Sequence, residues 1–275
     1  MEAGISQIIH ALQQQYDFSR IIVTLALVLA RIIAIVQLTP FLGGKNAPTQ
    51  VKMGISVSLA ILAFPIVFDN LDGPLPLDAI GFTLMMAKEV FVGLIIGFIG
   101  AELFYGVEMA GQFMNLLNGT TMIQIMVPQL QQRSSAFGDL NYQLLLIIFL
   151  SINGHHVFIE SMYSSFVDIP INALPTLSGG LWPLIDLTMH ITSDLFLIAA
   201  GIAAPVAIAC LVTDFTFGML NRVAPQINAY FMSMPAKAMV GCIIFFVAMP
   251  MIIKVFTEHT YSMLRLLQDA LLLFQ

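Results

Sequence analysis

His155 and His156 are adjacent, and Glu160 follows about one helical turn later. No other group in the chain comes as close to a metal-ligand cluster. A zinc-binding helix sets its two histidines four residues apart on one face, whereas adjacent residues project to different sides of a helix. The pair is therefore read as structural. Enzyme signatures are missing too: there is no phosphate loop, no dinucleotide-binding glycine fingerprint, no HExxH and no GxSxG elbow. A non-enzymatic protein without cofactor or metal is expected.

Charges interrupt otherwise apolar sequence at Arg31, Lys88, Glu89 and Glu102, and Glu108 is expected at the end of the same helix as Glu102. Such charges are costly in hydrocarbon and normally pair or face water. An ion relay needs several on one face, but Glu102 and Glu108 are six apart and lie on different faces of a helix with 3.6 residues per turn. Salt bridges or water-facing positions are the expectation. Cys210 and Cys242 fall in apolar runs and are read as small buried hydrophobes.

The stretch NGTTMIQIMVPQLQQRSSAFGD, residues 118–139, sets an apolar knot from Met122 to Val127 among uncharged polar residues. Irregular backbone between apolar segments needs protein or a water-filled cavity to receive its polar groups. By composition alone the stretch reads as a cytoplasmic loop with a buried anchor. Several of the 17 methionines lead into it or lie within it: Met109, Met114, Met122 and Met126. Thioether side chains are flexible and polarizable, which suits a deformable seal.

The elements that must hold these residues are apolar helices. Of 275 residues, 59% are hydrophobic and 9% charged, against about 25% charged in a soluble domain; mean hydropathy is +0.92. The chain is an all-α integral membrane protein in contact with lipid. Its ten Lys and Arg are scattered, which leaves no basic footprint for nucleic acid. Six spans are expected, over 21–38, 53–68, 84–104, 141–162, 194–212 and 239–256, several near the short limit of roughly 17 residues. Pro40, Pro48, Pro65, Pro128, Pro205, Pro235 and Pro250 are expected to end or kink helices.

Loop charges suggest an orientation. Lys45 and Lys52, then Arg133, then Arg222 and Lys237 mark alternate connections as cytoplasmic, and acids dominate the connections between them. Six spans with both termini outside fit that alternation. No cleavable leader is visible, so the first apolar segment is expected to act as a signal anchor.

Gly93, Gly97 and Ala101 repeat at four-residue spacing, and Gly106 with Ala110 continues the pattern. Small residues so spaced let helix backbones approach closely, within one chain or between subunits. One domain over 1–275 is expected. A secondary transporter would show an internal repeat and a coherent set of midplane polar groups, and neither is found.

TPFLGGKNAPTQVK (39–52, with Pro40, Pro48 and Lys52), AGQFMNLLNG (110–119), NGH (Asn153, Gly154, His155) and LNRVAPQINAYFMSMPAK (220–237, with Asn221, Arg222, Pro225 and Gln226) resemble the FliR/SctT family of bacterial type III protein export. Order and spacing fit over nearly the whole chain. The resemblance implies a subunit of a hetero-oligomeric helical export gate in the bacterial inner membrane, within the basal body. Its implied partners are FliP-like and FliQ-like subunits, an FlhB-like switch subunit, and unfolded proteins in transit. It also implies a FliP-like N-terminal part and a FliQ-like C-terminal part, with some helices lying above the bilayer plane. The loop matching the family's luminal plug is Gly119 to Arg133, where Met122, Ile123, Ile125, Met126 and Val127 would exclude water ahead of Pro128; hydrophobic constrictions can gate by dewetting. Many flagellar members carry an acid where Val127 stands, so that acid's contacts do not carry over. The absence of an arginine ahead of Gly119 points to a flagellar member over a virulence injectisome. Asn221, Arg222, Pro225 and Gln226 are expected to anchor the turn before the last apolar segment, with Asp214 or a partner subunit facing Arg222.

Overall fold

The computed structural model describes residues 18–44, 47–71, 78–119, 135–173, 182–226 and 228–272. Eight helices account for nearly all of them: α1 Phe18–Leu38, α2 Pro40–Gly43, α3 Thr49–Asp69, α4 Ala79–Leu117, α5 Ala136–Ser151, α6 Gly154–Asp168, α7 Trp182–Val223 and α8 Ala229–Leu272. There is no strand among the described residues. Five helices are long and apolar enough to cross a membrane, and α5 with α6, bent by 73°, forms a sixth candidate span. Five of the six expected apolar segments are helical throughout, and the fourth is helical on both sides of a break.

Several limits differ from expectation. The third, fifth and sixth segments are helices of 39, 42 and 44 residues, roughly 60 Å each at 1.5 Å per residue. That is about twice the hydrocarbon thickness. Apolar runs mark what suits lipid, but a helix continues into polar sequence wherever no breaker intervenes, so Glu108 lies inside α4 rather than at its end. Pro65, Pro205, Pro235 and Pro250 do not end their helices. Pro40 and Pro48 instead start them, at the first position of α2 and the N-cap of α3. The fourth segment, expected as one helix, is broken at Asn153, whose φ of 59° is left-handed. Asn adopts that region at lower cost than most residues.

The chain divides into two compact units, neither contiguous in sequence. The first comprises residues 1–101, 156–185 and 265–275. Leu27, Val28, Ile32 and Ile35 of α1 build its core with Val92 and Ile96 of α4 and Phe158, Met162 and Phe166 of α6, all essentially buried. Gly93 and Gly97 pass against α1 so closely that an added Cβ would lie 2.5 Å from Arg31 O and 3.0 Å from Leu38 Cβ. Gly100, outside the four-residue spacing, is pressed against the Phe158 ring in the same sense, an added Cβ lying 3.0 Å from its Cζ.

The second unit comprises residues 102–155 and 186–264. Phe104, Val107, Ala110 and Met114 of α4 pack in a core with Leu145 and Phe149 of α5, Ile198 and Val206 of α7, and Phe245 and Phe256 of α8. A Cβ added at Gly106 would make only an ordinary contact with Leu195, at 3.4 Å. Gly111 is tighter, its backbone lying directly on that of Gly138. Cys210 is buried, as expected, but Cys242 is exposed on α8: it lies on the side of that helix that carries Met239, Ile243 and Phe246 outward.

Candidate functional site

Two constellations stand out, one in each unit. In the first unit Arg31, Lys88 and Glu89 come together in the core, at 0%, 7% and 0% exposure. Arg31 Nε donates to Glu89 Oε2 at 2.5 Å, and Lys88 Nζ stands 2.6 Å from Glu89 Oε1. Two cations on one carboxylate leave an excess positive charge. Backbone carbonyls in the last turn of α6 and in the segment just after it receive it: Arg31 donates to Ser165 O at 2.6 Å and Ile169 O at 2.8 Å, and Lys88 to Pro170 O at 2.7 Å and Ala173 O at 3.0 Å. A helix C-terminus carries partial negative charge and orphan carbonyls, so cations are favoured there. The Arg31 guanidinium also lies 4.2 Å from the Phe166 ring centroid. The cluster thus pins α1, α4 and α6 together, and nothing in it is open to a substrate.

Glu102 departs from the expected salt bridge. It is 4% exposed, and its Oε2 has no hydrogen-bond partner among the described residues.

In the second unit the two flanks of residues 120–134 are joined. α4 ends at Leu117, and Asn118 N donates to Met114 O at 2.9 Å. Gly119 then turns out of the helix with φ 75°, a conformation that glycine adopts freely. On the other flank Ser135 caps α5, its Oγ accepting from Gly138 N at 2.9 Å. Asn115 Nδ2 donates to that same Oγ at 2.7 Å, linking the end of one helix to the start of the next. Cys210 of α7 donates to Asn118 Oδ1 at 2.7 Å, and the Asn118 amide rests on Gly241 of α8, where any side chain would collide with it. Met234 approaches Gly119, its Cγ 3.8 Å from where a Cβ would be. The result is a stem in which Asn115 ties the end of α4 to the start of α5, while α7 and α8 hold the Asn118 side.

Of the loop residues singled out in the sequence, Gly119 is in this stem, while Met122, Ile123, Ile125, Met126, Val127, Pro128 and Arg133 lie outside the described residues. Lys52 lies along Gly43 and donates to Gln37 O at 3.4 Å. Gly154 follows the Asn153 break, and a Cβ there would lie 2.6 Å from the Phe149 ring; His155 beside it is half-buried. Ala101 and Ala110 are buried in their own units. Asn221 and Arg222 close the last turn of α7, and Pro225 and Gln226 form the exposed turn after it. Asp214 pairs with Lys237 at 2.8 Å, not with Arg222.

Asn115, Asn118, Ser135 and Gly111 were not singled out as site residues. Ser135 just ahead of an apolar run, with Asp139 in the first turn, is a helix-start signal and could have located one flank. The Asn118 contacts with Cys210 and Gly241 join residues far apart in sequence and have no local signature.

Residues 22–263 match the protein family described as bacterial export proteins, family 1. Over 231 residues the chain is 29% identical to the flagellar biosynthetic protein FliR of Bacillus subtilis (strain 168), covering 83% of this chain and 87% of that one. It is 28% identical over 226 residues to the Yop proteins translocation protein T of Yersinia pestis, covering 82% and 85%. To the secretion system apparatus protein SsaT of Salmonella typhimurium it is 26% identical over 230 residues, covering 83% and 88%.

Proposed function

Because this chain belongs to family 1 of the bacterial export proteins, we propose that it is a non-enzymatic subunit of a type III protein export gate whose residues 119–133 plug the channel. At the coarser level it is a membrane component of an export apparatus. At the finer level it sits in the bacterial inner membrane, in the basal body, beside FliP-like and FliQ-like subunits and an FlhB-like switch subunit. Its N-terminal part plays a FliP-like role and its C-terminal part a FliQ-like one.

The observation that carries the plug reading is the stem. A loop that must stop ions at rest and yield to a passing chain needs fixed ends and a deformable middle. Asn115, Ser135, Asn118 and Cys210 fix the ends, and Met122 to Val127 supply a soft apolar middle. Exported chains vary in sequence, so neutral polar groups and adaptable apolar contacts serve better than a shaped pocket.

A second reading, the equivalent subunit of an injectisome, is favoured by the near-equal identity to the Yersinia and Bacillus relatives. Affinity purification of the tagged chain in mild detergent tests the assembly. Co-purification of two further export-gate subunits in a large complex is expected. A lone chain or simple homodimer would overturn the reading and favour a small-solute transporter.

A further inference from the structure

We propose that Gly241 and Phe245, one turn apart on α8, are positioning residues that hold the two flanks of residues 120–134 at a fixed spacing, so that a shift of α8 loosens both flanks together. The consequence for the seal rests on the gate reading; the coupling of the flanks does not.

Asn118, on the α4 flank, is 1% exposed. Its amide lies on Gly241, where an added Cβ would stand 2.8 Å from both Asn118 Cγ and Nδ2. Nδ2 has no hydrogen-bond partner among the described residues, so contact with α8 and the Cys210 bond to Oδ1 fix where the amide lies. On the other flank, Phe137 stands two residues past the Ser135 cap of α5. Its ring meets that of Phe245 with centroids 5.2 Å apart and planes at 67°, the edge-to-face arrangement that aromatic pairs favour. Phe245 is buried, and close-packed surroundings leave such a ring little room to turn. Positions 241 and 245 share one face of α8, and Met234, seven residues before Gly241, continues that stripe to Gly119. α7 reaches the α4 flank through Cys210; α8 reaches both flanks.

Pro235 and Pro250 lie inside α8 on either side of the pair. Each removes a backbone hydrogen bond, so the segment between them joins the rest of the helix at two weakened points. Gly241 and Phe245 are separated by a rise of only about 6 Å. A displacement of that segment therefore carries them as one body.

The test uses the assembled complex containing the full chain. Hydrogen exchange reads one backbone N–H on each flank, that of Asn118, bonded to Met114 O at 2.9 Å, and that of Asp139, bonded to Ser135 O at 2.8 Å. Small-ion leakage through reconstituted membranes reads the seal. Gly241→Ala sets a Cβ against the buried amide and should accelerate exchange at both positions by about five-fold or more, with leakage above wild type. Adding Asn118→Ala removes the colliding atoms, so exchange at Asp139 should return to the wild-type rate while position 118 stays fast. Gly201→Ala, whose Cβ meets nothing within 4 Å, should change neither readout. Phe245→Trp overpacks the same face from the other flank and should accelerate Asn118 as well as Asp139; it decides the matter alone should Gly241→Ala fail to assemble. Unchanged exchange, or acceleration confined to the flank beside the substitution, would overturn the proposal. Coupled acceleration with wild-type leakage would keep the positioning role and count against the plug.

Discussion

Arg31 is fully buried, and its environment makes Glu89 the most consequential acid of the first unit. Removing one member of a buried charge cluster strands the others, at a cost of roughly 3–5 kcal/mol. Glu89→Ala should therefore lower unfolding stability in detergent by about that amount. Replacing Arg31, Lys88 and Glu89 together by apolar residues of similar size should cost far less. If Glu89→Ala unfolds like wild type, the cluster does not hold α1, α4 and α6 together. Gly111 makes a second residue-level case. An alanine there meets the Gly138 backbone, which cannot yield without parting α4 from α5; such overpacking costs about 1–3 kcal/mol. Gly106→Ala meets only an ordinary contact with Leu195 and should be close to neutral in the same assay.

The turn between α5 and α6 rests on a residue choice that can be tested alone. Asn153 is left-handed, so Asn153→Gly should unfold like wild type, whereas Asn153→Val should lose about 1–2 kcal/mol through its Cβ. At the stem, Ser135→Ala removes the α5 cap, worth about 1 kcal/mol, and also the acceptor for Asn115. Hydrogen exchange at the first turn of α5 should accelerate in that variant; unchanged exchange would mean that the cap does not hold this flank. Helix existence could be read from apolar runs because burial in lipid or protein demands them. Helix ends could not: α4 runs on through Glu108 and Gln112 to Leu117, since polar residues without a breaker still form helix. The Asn153-Gly154 dipeptide is a turn signal, and it is a local sign of the break inside the fourth apolar segment. Arg31 and Glu89 are 58 positions apart, so no local pattern could pair them.

For the whole molecule, the decisive fact is how much apolar surface faces outward. Phe215, Val223, Met239 and Val247 on the two longest helices are each more than half exposed, and soluble monomers rarely expose large contiguous apolar patches. Lipid and neighbouring subunits cover such surfaces in a membrane assembly. The stem fixes both flanks of residues 120–134, and under the proposed gate reading those residues seal the channel. The most direct measurement is ion leakage through membranes holding the assembled complex, with and without Met122 to Val127. The deletion should assemble normally, because the stem contacts lie outside it, and should raise small-ion leakage well above wild type. Wild-type leakage from an assembled deletion complex would contradict the plug.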